Sequence, residues 1–420
     1  MNIVLLSGGS GKRLWPLSND NLSKQFLKLL RNEKGEHESM VQRVMRQIRD
    51  AWPDANVVVS CNKDHLEMLE RQLGRGAEIV AEPARRDTFP AIVYAAAWLR
   101  HEKNLPEDTP FVVCPIDVFA ERRYFELLGD VASLTDRHSI GLMGAIPTYP
   151  SAKYGYILRR ESHVIGFVEK PEEKKAEALI ESGALWNCGV FGLKIGYVLE
   201  KAVKHVDSTD FQAIRESFDR LPAASFDYEV VESESSIGTV VYEGTWKDLG
   251  TWNTLTEEMS SDTLGYNVLV SDESKNVHVL NMLNIPVVVQ DVHDAVVIAS
   301  HDGVLVSSKH GSSFLKPLAE QLSTQPMYGQ RLWGNYRVLD DSAITTIKRV
   351  KIDAGKIMDC REQHYRSEVW VVTKGKGILS IDGMDSVVSA GSVVELPGGA
   401  VRYLLAATDM EVVEINLLDI

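Results

Sequence analysis

The feature that most constrains this chain lies at its start, where the apolar run Ile3, Val4, Leu5, Leu6 stops abruptly in Ser7-Gly8-Gly9-Ser10-Gly11. Such a run has the length of a strand buried on both faces of a parallel sheet. The glycines then strip the turn of side chains, so backbone NH groups can approach a ligand closely. Lys12 and Arg13 come next, and Lys24 follows eleven residues after Arg13. A bare main-chain cradle bracketed by three cations suits an oligophosphate. A glycine-rich turn without a ligand would explain the glycines but not the cations or Trp15-Pro16. Two other phosphate motifs fail on the letters: a dinucleotide fingerprint needs Gly where Leu14 stands, and a P-loop needs Gly at Leu6 and Ser or Thr at Arg13.

Downstream, apolar residues at helical spacing alternate with short apolar runs. Residues 38–50, 64–73 and 91–100 read as helices, and residues 57–59, 78–81, 111–114 and 140–145 as strands. That alternation predicts a Rossmann-like α/β domain around a mixed, mostly parallel sheet, with ligands beyond the carboxyl ends of the strands. The 420 residues exceed one ordinary core. Past residue 260 short Val/Ile-rich runs broken by Asp, Asn, Gly and His predict a β-helix-like segment over 261–325, closing with a helical pattern at 314–322. Residues 326–420 form a third, β-rich unit.

The net charge of −14 argues against nucleic acid or an anionic membrane as the partner. An anionic nucleotide must then be met by a local basic pocket and a metal. No run of apolar residues is long enough to span a bilayer, and the N-terminus lacks a signal-peptide layout, so a cytoplasmic protein is expected. Cys61, Cys114, Cys188 and Cys360 are too scattered for a disulfide framework or a zinc knuckle.

The stretch from Ser7 to Phe26, with Gly-Ser-Gly-Lys-Arg-Leu-Trp-Pro-Leu-Ser and then Lys24-Gln25-Phe26, resembles the signature of sugar-nucleotide pyrophosphorylases, specifically the bacterial mannose-1-phosphate guanylyltransferases. The resemblance implies that Ser7, Gly8, Gly9, Gly11 and Lys12 line the nucleotide, and that Arg13 and Lys24 grip its phosphates. Further motifs follow in family order. Glu82-Pro83-Ala84-Arg85-Arg86-Asp87-Thr88-Phe89-Pro90-Ala91 is similar to the base-recognition loop, with Asp87 in place of Asn and Phe89 in place of Ala. A carboxylate at Asp87 can accept two hydrogen bonds from the N1 and N2 edge of guanine; equally, Asp87 or Thr88 is placed to cap the following helix.

Cys114-Pro115-Ile116-Asp117-Val118 sets an Asp at a strand tip, a position suited to magnesium, though the family's Ser or Ala and His are replaced by Ile116 and Val118. Gly155, then Glu169-Lys170-Pro171, then Trp186-Asn187-Cys188-Gly189-Val190-Phe191 resemble the sugar-phosphate motifs. They imply sugar contacts by Gly155, Glu169 and Asn187, and Lys170 on the phosphate. Ser225-Phe226-Asp227-Tyr228 is similar to another sugar segment and adds Asp227, while Trp246-Lys247-Asp248-Leu249-Gly250 supplies Asp248, which with Asp117 would hold Mg2+. The last unit, with Arg331-Leu332-Trp333-Gly334 and its glycine-punctuated strands, resembles the cupin-like phosphomannose-isomerase domain of long, bifunctional members. Laid on that domain's His-x-His and later His, the positions are Gln363, Tyr365 and Val401, flanking His364 in the first case. A metal-free barrel without isomerase activity is expected.

The expected activity joins a sugar 1-phosphate, mannose 1-phosphate by resemblance, to a nucleoside triphosphate, GTP by resemblance, releasing pyrophosphate in nucleotide-sugar and polysaccharide biosynthesis. A different nucleotide such as CTP, or another phosphorylated acceptor, stands beside it, because Asp87, Phe89, Ile116 and Val118 all depart around the nucleotide pocket. A non-catalytic sensor is the alternative from another class. An acidic chain with a β-rich tail is also compatible with a homodimer.

Overall fold

The structure is a computed structural model that describes residues 1–8, 11–161, 163–322, 325–359, 367–397 and 399–417. Gly9, Ser10, Cys360, Gln363, His364, Tyr365 and Gly398 therefore lie outside the described residues. The chain divides into two compact units, one of Met1–Gly9 with Gln25–Ser260 and one of Ser10–Lys24 with Ser261–Ile420.

The first unit is built on strands β1 (Asn2–Ser7), β2 (Asn56–Asn62), β3 (Glu78–Glu82) and β4 (Pro110–Pro115), which are linked by helices α1 (Met40–Ala51), α2 (Leu66–Leu73) and α3 (Thr88–His101). Ser39 opens α1 with a capping box completed by Gln42, and Val41, Val44, Met45 and Ile48 form its buried stripe. Helix α3 is apolar on nearly all sides because it is packed all round, with only Trp98, Arg100, His101 and Thr88 outside the buried set.

A short β5 (Val118–Ala120) is followed by β6 (Ile140–Ala145), β7 (Tyr156–Arg160), β8 (His163–Val168), β9 (Leu185–Lys194), β10 (Ile237–Tyr242) and β11 (Trp246–Asp248). Among the described residues the main sheet runs β3-β2-β1-β4-β9-β6-β10-β8-β7. Strands β3, β2, β1 and β4 are mutually parallel, as are β6 and β10, but β9 runs antiparallel to both β4 and β6, and β8 antiparallel to β10 and β7. The sheet is mixed and mostly parallel, as the alternation predicts: among the described residues seven of its nine strands run one way, and only β8 and β9 run the other. Buried strands of either direction are uniformly apolar, so strand direction leaves no trace in local composition.

The second unit holds short strands β12 (Thr263–Gly265), β13 (Val268–Val270), β14 (Lys275–Asn281), β15 (Val287–Val289), β16 (His293–Ser300) and β17 (Gly303–Ser308). Strands β12, β14 and β16 stack in parallel, as do β13 and β15, whereas β17 turns back antiparallel on β16. The stack ends in a hairpin instead of a further parallel rung. The helical pattern read at 314–322 is realised only as the one-turn helix Lys316–Ala319, preceded by another at Lys309–Ser312; Pro317, in the first turn of the later one, keeps the two from joining.

A barrel of two sheets follows, one ordered β18-β19-β20-β27-β22-β25 and the other β21-β26-β23-β24. Its strands are β18 (Tyr328–Arg331), β19 (Gly334–Asp341), β20 (Thr345–Ile352), β21 (Ile357–Asp359), β22 (Ser367–Lys374), β23 (Lys376–Ile381), β24 (Met384–Ser389), β25 (Val393–Pro397), β26 (Arg402–Ala406) and β27 (Met410–Leu417). Here one expectation is corrected. Val401 is 50% exposed and the next residue, Arg402, is 1% exposed. Residues alternate across a strand, so the side chain entering the barrel is Arg402 rather than Val401. The Arg402 guanidinium is bonded to the equally buried Glu368.

Candidate active site

The first unit contributes the end of β1. Ser7 is fully buried, with Gln25 Nε2 3.5 Å from both its carbonyl and its hydroxyl oxygen and His65 Nδ1 3.4 Å from the carbonyl. Burial lowers the pKa of His65, so the ring there is held neutral. At Gly8 an added Cβ would meet nothing within 4 Å, which leaves the backbone open. The second unit carries Lys12 and Arg13 in a 3-10 turn, Gly11–Leu14, and Lys24 in another, Lys24–Phe26, which runs on into the first unit. Lys12 lies 4.0 Å from Asp20, Arg13 is exposed, and Lys24 is 6% exposed.

Asp117 and Asp248 are about 130 residues apart in sequence and adjacent in the fold. Strand β5 pairs antiparallel with β11, setting Asp248 opposite Val118, and Leu249 N donates to the Asp117 carbonyl at 2.9 Å. The Asp248 carboxylate lies back over Gly250, where a Cβ would stand 2.9 Å from Oδ1, so the glycine is needed for this placement. Two half-buried carboxylates on neighbouring strand ends offer hard oxygen donors. Among the described residues no group of three or more His, Cys, Asp or Glu is arranged to hold a metal, and magnesium needs only one or two carboxylates when phosphate oxygens complete its shell.

The residues read as sugar contacts come together in the same unit. Asn187 Nδ2 donates to Asp227 Oδ1 at 2.8 Å, and Asn187 N to the Gly155 carbonyl at 2.8 Å. A side chain at Gly155 would overlap Glu169 Oε2 and come within 2.8 Å of the Phe167 ring, so only glycine lets the backbone approach. Lys170, in the left-handed region at φ 43°, folds its ammonium back onto Glu169 Oε1 at 2.5 Å. Burial opposes the Lys170 charge most strongly, but the bond to Glu169 together with the charges of Glu169, Tyr228 and Asp227 outweighs it and the pKa is raised. Asp227 is pushed up to about 7 by burial and then by the neighbouring Glu169 charge. Strand β9 keeps Asn187 paired with Gly144 and then slips register before Phe191, so the ladder is interrupted directly after Asn187.

An aromatic cluster beneath these groups was not apparent from the motifs taken singly. Tyr154 packs edge-on against Trp186 at 5.0 Å and Trp246 at 5.1 Å, and Trp186 Nε1 donates to Tyr156 OH. One aromatic stands beside each polar residue: Tyr154 before Gly155, Trp186 before Asn187, Trp246 two before Asp248. That repeated adjacency is the signal a sequence reading can use. The cluster locks the sugar group and the carboxylate pair to one rigid floor.

In the base loop, Asp87 adopts φ 71° and its carboxylate accepts from Thr88 N, capping α3 while remaining exposed. Phe89 is fully buried, stacked on Phe226 at 6.4 Å, and Ile116 and Val118 are each 2% exposed. Three of the four departures from the family pattern are therefore core residues, and only Asp87 is offered to solvent. Arg86 donates through Nε and Nη2 to the Leu221 carbonyl, and Phe226 N donates to Thr88 Oγ1, so this loop is braced against the segment that carries Asp227.

Glu82, at the end of β3, is 6% exposed and accepts from Ser60 Oγ at 3.1 Å. Burial holds its carboxyl up to about 7, with the Ser60 bond acting the other way. The folded state thus binds this proton more tightly than the unfolded chain, where the pKa is about 4.3. Stability from this site is present below about pH 4 and is lost as the pH rises to about 7. In urea unfolding, Glu82→Gln is expected to gain on the parent by about 3 kcal/mol between pH 4 and pH 8. Parallel pH profiles for the two proteins would refute the buried, protonated carboxyl.

Residues 2–264 match the nucleotidyl transferase family, and residues 320–418 match the C-terminal family of mannose-6-phosphate isomerases. A mannose-1-phosphate guanylyltransferase of Escherichia coli K12 is 30% identical, over 96% of this chain and 91% of its own length. The alginate biosynthesis protein AlgA of Pseudomonas aeruginosa is 28% identical, over 98% and 93% of the two chains. Among solved structures, one titled mannose-1-phosphate geranyltransferase, from Thermus thermophilus, superposes with TM-score 0.64 at 26% identity, covering 77% of this chain and 99% of its own. Among the described residues no helix is long and apolar enough to cross a membrane.

Proposed function

The chain belongs to the nucleotidyl transferase family, among the mannose-1-phosphate guanylyltransferases, and from that premise we propose that it joins mannose 1-phosphate to GTP, forming GDP-mannose and pyrophosphate. The observation that supports this reading is the pairing of β5 with β11, which brings Asp117 beside Asp248. An oxygen of the sugar phosphate attacks the α-phosphorus in line; the new P–O bond forms as the bond from the α-phosphorus to the bridging oxygen breaks, and pyrophosphate leaves. The nucleophile is already an anion, so no general base is required. The barrier is repulsion between two polyanions, and positioning with charge neutralisation lowers it.

Asp117 and Asp248 would hold Mg2+, which when bound neutralises phosphate charge and orients the reacting oxygens. Lys170 holds the incoming phosphate, while Glu169, Asn187, Asp227 and the Gly155 backbone orient the sugar hydroxyls. Arg13 and Lys24 meet the departing pyrophosphate, with Ser7, Gly8, Gly9, Gly11 and Lys12 forming the phosphate cradle. Glu82 and Asp87 border the base. For Asp87 the helix-capping bond uses one carboxylate oxygen and leaves the other for guanine.

The direct test is pyrophosphate release from mannose 1-phosphate and magnesium with GTP, ATP, CTP, UTP and dTTP in parallel. Turnover with GTP at least about tenfold above each of the others is expected, because a base edge that must satisfy a buried or directed acceptor discriminates by at least that factor. Equal turnover with another nucleotide would overturn the assignment of the base, and silence with all five the assignment of the reaction.

A further inference from the structure

The segment Ser10–Lys24 leaves β1 after the glycines, carries Lys12, Arg13 and Lys24, and belongs to the same compact unit as residues 261–420. What ties it there is a small number of directed bonds. Asn19 uses its whole amide. Its Oδ1 accepts from Asn21 N and Leu22 N, each at 2.8 Å, shaping the turn. Its Nδ2 donates to Asp302 Oδ2 at 2.5 Å and to the Tyr328 carbonyl at 3.2 Å. Asp302 in turn accepts from Met327 N through Oδ1 at 2.5 Å. One carboxylate thus joins the signature loop to the chain entering the barrel.

The turn that carries Asp302 makes further contacts with the same loop. Ser300 Oγ donates to the Pro16 carbonyl at 2.7 Å and accepts from Asp302 N at 3.2 Å. Gly303 lies so close to Trp15 that a Cβ there would stand 2.6 Å from Cζ2 of the indole. From the barrel itself, Asn21 Nδ2 donates to Tyr336 OH at 3.1 Å. Loop positions 15, 16, 19 and 21 are therefore held by residues about 280 to 315 positions away. The three basic residues lie just outside these anchors: Lys12 and Arg13 are three and two residues before Trp15, and Lys24 is three after Asn21.

We propose that Asp302 is a positioning residue for nucleotidyl transfer: through Asn19 it fixes the loop that presents Arg13 and Lys24 to the triphosphate, so the β-rich region is part of the catalytic apparatus. The inference rests on the function proposed above. Its chemistry is specific. Asp302 must accept on both oxygens at once, and a neutral amide at that position turns a donor toward either Asn19 Nδ2 or Met327 N. Asn19 is unable to flip in response, since its Oδ1 already serves two backbone donors.

The test uses the full chain and compares kinetics at saturating magnesium. Asp302→Asn is expected to lower kcat/KM for GTP about 10- to 100-fold, as displacement of a positioned group does, with the KM for mannose 1-phosphate unchanged. Reversing the pair, Asn19→Asp with Asp302→Asn, restores a donor facing an acceptor and keeps acceptors for Asn21 N, Leu22 N and Met327 N, losing only the longer bond to the Tyr328 carbonyl. The double variant is expected to recover part of the loss, the bond to the Tyr328 carbonyl staying unmade, whereas Asn19→Asp alone, setting two carboxylates together, is impaired. Parent-like GTP kinetics for Asp302→Asn, an equal rise in both KM values, or no recovery in the double variant would each overturn the proposal. A parent enzyme inactive with GTP would instead overturn the assigned reaction, so the two failures are told apart.

Discussion

Replacing Asp117 by Asn is expected to lower pyrophosphate release about 10²- to 10³-fold while the protein stays folded. Backbone links at this position are left in place by the substitution: Leu249 N donates to the Asp117 carbonyl, and Val118 and Ala120 carry the strand pairing. On the proposed reading it removes one of the two negative charges that would hold magnesium against the phosphates. A clamp of two carboxylates balances a divalent cation, and with one of them neutral the cation binds less tightly and with a less defined orientation. Raising magnesium should then recover part of the rate by mass action, shifting the titration midpoint upward, while a residual deficit persists at saturation because the orientation remains poor. Measured turnover and the magnesium midpoint, alongside a thermal unfolding profile, check this. Near-parental turnover at low magnesium would remove Asp117 from the site.

The parts of this molecule legible in the sequence are those written in local chemistry. The strand read at 140–145 is present end to end as β6, since every one of its residues is buried and an uninterrupted apolar run has no amphipathic alternative. The Ser39–Gln42 capping box likewise stands immediately ahead of the apolar stripe of α1. The gathering of Gly155, Glu169, Asn187 and Asp227 was legible only through the order of several motifs, because a lone Glu-Lys pair or a lone Asp carries little information. The reversal of single strands in the sheet was not legible: β9 runs antiparallel to β4 and β6 and is mostly buried as they are.

The departures at Phe89, Ile116 and Val118 looked like changes in a nucleotide pocket, and the structure instead gives them to the core. Side-chain direction at a strand or helix end depends on where that element begins, and a sequence leaves that boundary uncertain by a residue or more. The same uncertainty explains the exchange of Val401 for Arg402, where a one-residue difference moves a side chain from solvent to the barrel interior. Least legible of all was the clasp on the signature loop. Asn19 and Asp302 are individually commonplace turn residues, and nothing local marks them as partners.

Arg402 carries the largest expected effect on stability. Its guanidinium is bonded to Glu368, whose other oxygen accepts from Trp370 Nε1 at 3.0 Å, and Arg402 Nη1 donates to the Ala400 carbonyl at 3.2 Å. Both charged residues are 1% exposed. Burial also pushes the neighbouring Glu414 carboxyl up to about 7, with the Lys348 and Arg402 charges opposing the rise. Removing the guanidinium in Arg402→Met leaves the Glu368 charge in a medium that solvates it poorly, at a cost of about 3–5 kcal/mol. If the pair is an electrostatic unit, Glu368→Gln with Arg402→Met should recover most of that loss, because methionine fills the volume and no charge is stranded. Hydrogen exchange of the backbone amides in β22 and β26 reads the barrel separately from the rest of the chain. Faster exchange in the single variant than in the double one is expected. Equal exchange in the two would mean that Arg402 acts by filling space, and that the buried ion pair contributes nothing of its own.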